Sequence, residues 1–460
     1  MEMIISTSTC GIVFPLFSGQ PVALTGFGGP HLAFTTVLYG TCTQFGLPFL
    51  QTFAWVGLWA STFLMLMTLT SFPNVLNYYT KFTDETFSAL SAVVFIIEAF
   101  KNLYKPFSLG WSASSCFLTM MSGLLTAGSV FVIARFKRTL LFNTFIRDTI
   151  ADFAPVLGVV IGSIFSLKLM GAFNISLDAL SLPASGFGTS TGRPWLIDFL
   201  SAPAIVKFGS FIPAIFLSIL LFQDQNITVR LVNNNPLRKG YGYNLDLFVI
   251  SLFTAVASVL GLPWMTAATV PSLTHARALS DLNKYGEVES LKENRISGAL
   301  VHVLMGLSLI FLRPVLKQVP LAVFMGLFLY LGLSAAAGNR FVRRLFLVFV
   351  DRSRFEEALL PDYRGIQPKE QQPGVIFKYS GIQLGFFALL WYIKSTKIGI
   401  AFPIVVAGLV PIRIWLTKFF KSDDLKALDS CSDVLSSGRE AVRALHSQSV
   451  SDCFSQNSRS

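Results

Sequence analysis

Apolar positions along this chain gather into long runs parted by short polar connections, rather than alternating or recurring as one stripe of a soluble helix. The runs fall at 9–27, 30–49, 51–71, 83–104, 112–134, 147–168, 203–228, 244–262, 271–282, 297–314, 320–337, 379–396 and 399–417. Most are roughly 18 to 22 residues long, which matches the hydrocarbon thickness of a bilayer when wound as a helix. Thirteen such segments in series are too many for one buried core, so the pattern predicts an all-α polytopic membrane protein. Residues 340–356 mix Arg with Phe, Leu and Val and predict a helix lying along the inner interface. Residues 421–460 are polar and Ser-rich and predict a disordered cytoplasmic tail.

Two of the runs are atypical. The segments at 30–49 and 271–282 are interrupted by polar residues, and each opens at a break: Gly28-Gly29-Pro30 in the first half, Thr269-Val270-Pro271 in the second. Proline suits a first helical turn because the N–H it lacks would be unsatisfied there. Unpaired backbone in lipid costs several kcal/mol per group, so such breaks must face protein or a wet cavity. A helix start also offers free N–H groups and about half a positive charge, which attracts anions. Two broken helices in corresponding positions of two halves point to a transporter's central site. The other reading is two ordinary proline-started helices after tight turns.

Composition sharpens this picture. Of 460 residues, 53% are hydrophobic and only 13% charged, where a soluble domain carries roughly 25%. The net charge of +11 lies mostly in short connections, at Arg135, Lys137, Arg138 and Arg147, at Arg230, Arg238 and Lys239, at Arg277, Lys284, Lys292 and Arg295, and at Arg340, Arg343, Arg344, Arg352 and Arg354. These are alternate connections and are assigned to the cytoplasm. No basic face with interleaved aromatics is present, so no nucleic-acid partner is expected. Asn174-Ile175-Ser176 is a glycosylation acceptor pattern on the outer side, and Asn226-Ile227-Thr228 repeats it at membrane depth, where it is discounted. Cys10, Cys42, Cys116, Cys431 and Cys453 form no CxxC pair, so neither a zinc site nor a disulfide framework is expected.

Ionisable residues inside a membrane are costly and are candidates for function. Asp224 follows the run Ile219-Leu220-Leu221-Phe222, and Thr228, four residues on, shares its helix face. Carboxylate and hydroxyl oxygens suit a hard cation such as sodium, or a proton-accepting site. The competing reading places Asp224 at a helix end in the interface. Glu98 in Phe95-Ile96-Ile97-Glu98 is similarly immersed, or else pairs with a neighbouring helix. Asp148, Asp152 and Asp246 read as helix-start carboxylates complementing the dipole. His275 and His302 read as structural. No catalytic residue, nucleophile elbow or phosphate loop is present, so an enzyme is not expected.

Several stretches resemble the bicarbonate transporter family of anion exchangers and sodium–bicarbonate cotransporters. They are GQPVALTGFGGP at 19–30, KFTDETFSALSAVVFIIEAF at 81–100, RDTIADFAP at 147–155, LLFQDQNIT at 220–228 and KGYGYNLDLF at 239–248. GLPWMTAATVPSLTHARAL at 261–279, ENRISGALVHVLMGLS at 293–308 and PLAVFMGLFLYLGLS at 320–334 complete them in order. The resemblance implies fourteen spans in a seven-plus-seven inverted repeat with core and gate domains, of which this chain carries about thirteen, the first span being absent. Its halves would occupy 1–200 and 201–420, with the tail at 421–460.

The resemblance also implies an anion site between two facing helix starts, here Gly29, Pro30, His31 and Phe34 against Thr269, Val270, Pro271 and Ser272. Asp224 falls on an acidic position that is Asp in many sodium-coupled members, and Thr228 on a hydroxyl position associated with them. Three departures are Pro271, where chloride exchangers often carry Arg; Thr35 and Thr36, where acidic residues are usual; and the chain's start near the second span. The expectation is a secondary transporter of bicarbonate or carbonate, sodium-coupled, at the plasma membrane and homodimeric, with membrane lipid around it. Sodium would be a co-substrate at Asp224 and Thr228 rather than a resident metal, and no cofactor is expected. A chloride–bicarbonate exchanger and a borate transporter are the alternatives within transport; an inactive or scaffold membrane protein is the alternative outside it.

Overall fold

The structure is a computed structural model, and it describes residues 1–73, 81–139, 141–179, 188–189, 192–233, 242–282, 288–351, 354–355 and 372–396, with scattered positions between 405 and 428. Most of the expected span at 399–417, most of the tail, and Arg238, Lys239, Lys284 and Arg352 lie outside the described residues.

The first half runs through α1 (Glu2–Phe17), β1 (Thr25–Gly26), α2 (Gly29–Gln44), α3 (Phe49–Leu69), α4 (Lys81–Ser108), α5 (Ala113–Arg135), α6 (Thr144–Asp152) and α7 (Ala154–Phe173). The second half runs through α8 (Ala204–Gly209), α9 (Phe211–Asn233), α10 (Tyr243–Leu260), β2 (Thr266–Ala267), α11 (Thr269–Ala278), β3 (Ser280–Leu282) and β4 (Val288–Leu291). It continues in α12 (Arg295–Phe311), α13 (Arg313–Leu316), α14 (Leu321–Gly338), α15 (Arg340–Phe346) and α16 (Gln372–Ser395). Among the described residues, eight helices are long and apolar enough to cross a membrane, and α1 and α12 are shorter apolar helices.

Several boundaries differ from the sequence pattern for identifiable reasons. The run at 9–27 is helical only to Phe17, because the chain from Ser18 turns extended and pairs as β1. The run at 147–168 divides: Pro155 restarts a new helix in its first turn, leaving α6 as a short amphipathic piece with no buried residue. The run at 203–228 likewise divides at Ser210 into α8 and α9. The second broken helix begins at Thr269 rather than Pro271, so Pro271 occupies its first turn, where the missing N–H is harmless. The expected interfacial helix at 340–356 is α15 followed by a 3₁₀ turn at Leu347–Phe349. Phe346, Val348 and Phe349 are exposed, but Phe341 and Arg344 turn inward and are buried.

The packing shows a repeat whose halves exchange partners. Helix α1 packs on α12, and α3 packs on α10. Exchanging α1 with α10 and α3 with α12 turns each of these contacts into the other, while β1 pairs with β2 and α4 packs on α14. That is the relation an inverted repeat requires. Two bodies result: α1, α2, α3 and α9 to α12 form one, and α4, α5, α7, α14, α15 and α16 form the other. Close approach at the swapped contacts depends on glycine. A Cβ at Gly11 would lie 1.8 Å from His302 Cδ2, and one at Gly57 would lie 1.8 Å from Ser258 Oγ.

Candidate functional site at two opposed helix starts

Residues 18–28 and 261–268 enter the interior of the helix packing as largely non-helical segments, and each then starts a helix. Their polar backbone is satisfied by pairing: β1 and β2 run antiparallel, with Thr25 opposite Ala267 and Gly26 opposite Thr266. The Ala268 N–H donates to the Leu24 carbonyl at 2.7 Å, and the Ala267 N–H donates to Gln225 Oε1 at 2.7 Å. Ser272 Oγ accepts from the Leu24 N–H at 3.0 Å and donates to the Ala268 carbonyl at 2.6 Å, so this buried hydroxyl ties α11 to the strand before α2. The starts of α2 and α11 are thereby fixed next to one another, each with the free N–H groups of a first turn.

Helix α9 runs beside both starts. Asp224 sits in its interior, buried, and not at the helix end that an interfacial role would require. Thr266 Oγ1 donates to Asp224 Oδ2 at 3.0 Å, and His31 Nδ1 lies 3.3 Å from the same oxygen. That oxygen also lies 2.9 Å from where a Cβ on Gly28 would be, so the carboxylate is seated directly against the start of α2. One turn along α9, the Thr228 hydroxyl pairs with that of Thr269 at 2.8 Å. Asp224 and Thr228 therefore share a face but address different elements, one the start of α2 and the other the start of α11. Among the described residues, no group of three His, Cys, Asp or Glu gathers to hold a metal ion.

The remaining candidates take distinct places. Gly29 stands where α2 meets α4, since a Cβ there would come within 3.1 Å of Val94 Cγ1. Pro30 is buried in the first turn, and His31 is fully buried. Phe34 meets Trp264 edge-on at 6.2 Å, and Trp264 stacks on Phe53 at 4.0 Å, so Phe34 forms the wall behind the site. Val270 is half-buried and Pro271 exposed.

Other charged candidates move elsewhere. Glu98 lies partly exposed and pairs with Lys101 on its own helix at 4.0 Å, not with a neighbouring helix. Asp148 and Asp152 are not helix-start carboxylates but face Lys137, at 4.0 and 3.8 Å. Asp246 is in the first turn of α10 and accepts from the Gln20 N–H at 2.9 Å. His275 bridges the Val22 carbonyl and Ser297, and His302 bridges the carbonyls of Gly298 and Thr25, both structural as expected. Asn174 ends α7 in a left-handed conformation, and Asn226 is buried with its amide on the Phe222 carbonyl.

Sequence reasoning missed Thr266, which lies in an extended pair without helical period, and the contact of His31 with Asp224. It also missed two neighbouring carboxylates, Asp84 and Glu85, which α4 carries into the interior.

Two helix starts are thus held side by side with a buried carboxylate against them. The profile of the HCO3- transporter integral membrane domain matches residues 1–114 and 109–433. The chain belongs to the bicarbonate transporter family. It is 31% identical over 464 residues to the Band 3 anion transport protein of Homo sapiens, covering 93% of this chain and 49% of that protein. It is 29% identical over 490 residues to anion exchange protein 3 of Danio rerio, covering 97% and 41%. The chain thus spans about half the length of the curated relatives it matches. In fold it is similar to the transmembrane domain of the cyanobacterial bicarbonate transporter BicA, with a TM-score of 0.55 at 14% identity, covering 84% of this chain and 88% of that one. SLC26A9 is similar at a TM-score of 0.55 and 12% identity, covering 91% and 63%. The bicarbonate transporter domain is an integral membrane domain, in keeping with the eight long apolar helices among the described residues.

Proposed function

We propose that this domain is a secondary active transporter of bicarbonate or carbonate that works by alternating access. The observation that carries the reading is the Asp224 carboxylate seated against the start of α2, beside the start of α11. Each helix start contributes about half a positive charge, and one carboxylate offsets both. An anion arriving alone meets a site near neutrality; an anion arriving with a cation meets a compensated one. Coupled binding follows from that sum, with sodium as the co-substrate at the oxygens of Asp224 and, across the face, Thr228.

Anion exchange is the second reading. It is favoured by the similarity to a protein named anion exchange protein 3. The protein would act at the plasma membrane and as a homodimer, in keeping with its family resemblance.

Recovery of internal pH after an acid load, in bicarbonate buffer with and without external sodium, separates these readings. Recovery that needs both ions supports cotransport, and sodium-independent recovery supports exchange. Asp224→Asn is expected to abolish coupled flux while leaving the amount of protein in the membrane unchanged. Normal sodium-driven flux in that variant would exclude the assignment of Asp224.

A further inference from the structure

Thr266 lies in β2 and is fully buried. Both halves of the chain fix its backbone. It stands opposite Gly26 in the strand pair, just before the start of α2. The residues after it are tied as well, the Ala267 N–H to Gln225 Oε1 at 2.7 Å and the Ala268 N–H to the Leu24 carbonyl at 2.7 Å. A threonine side chain is β-branched and stiff at χ1, so on a backbone held this way its hydroxyl has a set direction.

That hydroxyl donates to Asp224 Oδ2 at 3.0 Å. His31 Nδ1 lies 3.3 Å from the same oxygen but makes no hydrogen bond, so it packs against the carboxylate without holding it. Toward His31 Nε2, at 3.5 Å, the Thr266 oxygen accepts, because its one proton is directed at the carboxylate. Thr266 thus gives Asp224 its one hydrogen bond among the described residues. Oδ1 makes none, and the side chain keeps 11% of its surface exposed. Thr228 shares the helix face, but its hydroxyl is engaged with that of Thr269 at 2.8 Å and does not orient Asp224. The terminal torsion of an aspartate is broad, so a free carboxylate offers either oxygen. One pinned at Oδ2 offers Oδ1.

We infer that Thr266 is a positioning residue for the co-transported cation: it pins Oδ2 of Asp224, so that Oδ1 is the oxygen presented to the ion. The inference rests on the reading of Asp224 as the coupling carboxylate. A hard cation such as sodium binds through oxygen, and a carboxylate oriented before the ion arrives does not lose binding strength to its own ordering. Loss of the Thr266 donor should therefore weaken cation binding rather than the later movement of the loaded site.

The experiment measures initial bicarbonate uptake into vesicles holding the full chain, at saturating bicarbonate and a series of sodium concentrations, with thermal unfolding in parallel. Thr266→Val keeps the shape of the side chain and removes the donor, Thr266→Ala removes the donor with less bulk, and Thr266→Ser keeps the donor. The valine and alanine variants should raise half-saturating sodium roughly ten- to a hundredfold, the worth of a hydrogen bond to a charged group, and change the maximal rate far less. Thr266→Ser should stay close to wild type. Should the valine variant fail to reach the membrane, the alanine variant carries the same expectation. A threonine that only supports the fold would instead lower stability and maximal rate at unchanged half-saturation. That result would overturn the inference, as would a serine variant as impaired as the valine one. Wild-type uptake that needs no sodium would remove the coupling reading itself, and the role of Oδ1 with it, before any variant is compared.

Discussion

Gly28 offers the most direct test of where the carboxylate sits. Its backbone is extended, at φ −88° and ψ 157°, so alanine is allowed there without strain. The added Cβ would instead stand 2.9 Å from Asp224 Oδ2 and 3.1 Å from His31 Nδ1. Reaching an ordinary contact of 3.4 Å requires the oxygen to retreat by about 0.5 Å. A retreat of that size disturbs the 3.0 Å Thr266 hydrogen bond that holds the carboxylate.

A hydrogen bond to a charged group is worth about 1.5–3 kcal/mol. Gly28→Ala should therefore lower bicarbonate flux roughly ten- to a hundredfold, since each 1.4 kcal/mol is tenfold. Gly40→Ala on the same helix is the control, because nothing lies within 4 Å of a Cβ there. The assay is initial flux into vesicles at matched protein amounts, with thermal unfolding measured in parallel. Gly40→Ala should match wild type in both measurements, whereas Gly28→Ala should stay folded, lose no more than about 1.5–3 kcal/mol of stability, and lose flux. Flux in Gly28→Ala within twofold of Gly40→Ala would show that the carboxylate does not need its seat against α2.

Two further predictions concern stability. Arg344→Met strands the Glu85 carboxylate and should cost about 3–5 kcal/mol, whereas Glu85→Gln with Arg344→Met should recover most of it; thermal unfolding in detergent reads both. Gly11→Ala and Gly57→Ala should each destabilise by at least about 1–3 kcal/mol, because each wedges apart one of the two swapped helix contacts. Relief of the first by His302→Ala, measured in the same way, would confirm that contact, and its failure would refute it.

Legibility in the sequence followed the length of the signal. Runs near bilayer length declared the spanning helices, and the breaks at Gly28-Gly29-Pro30 and Thr269-Val270-Pro271 declared the two half-helices, because proline and glycine act locally. What failed were features decided by a neighbour in space. Pro155 was available to divide the run at 147–168, but hydrophobicity continues across it, and only the absence of burial in α6 shows that the first piece lies apart.

The charged residues carry the sharper lesson. Asp224 could be singled out because the apolar residues 219–222 lead up to it, but the run read from the sequence ends at 228 and left a helix-end reading open, which the continuation of α9 to Asn233 closes. Asp84 and Glu85 could not, since they stand near the start of α4, where a carboxylate is expected merely to complement the dipole. Glu98 shows the opposite error: apolar neighbours in sequence suggested immersion, while Lys101 one turn on marks its exposed face. An acidic residue's sequence neighbours report the cost of burying it only when the helix has a single buried face. Helix α4 is flanked by α2, α5, α14, α15 and α16, and for such a helix the partner charges on α9 and α15 decide where each carboxylate is held.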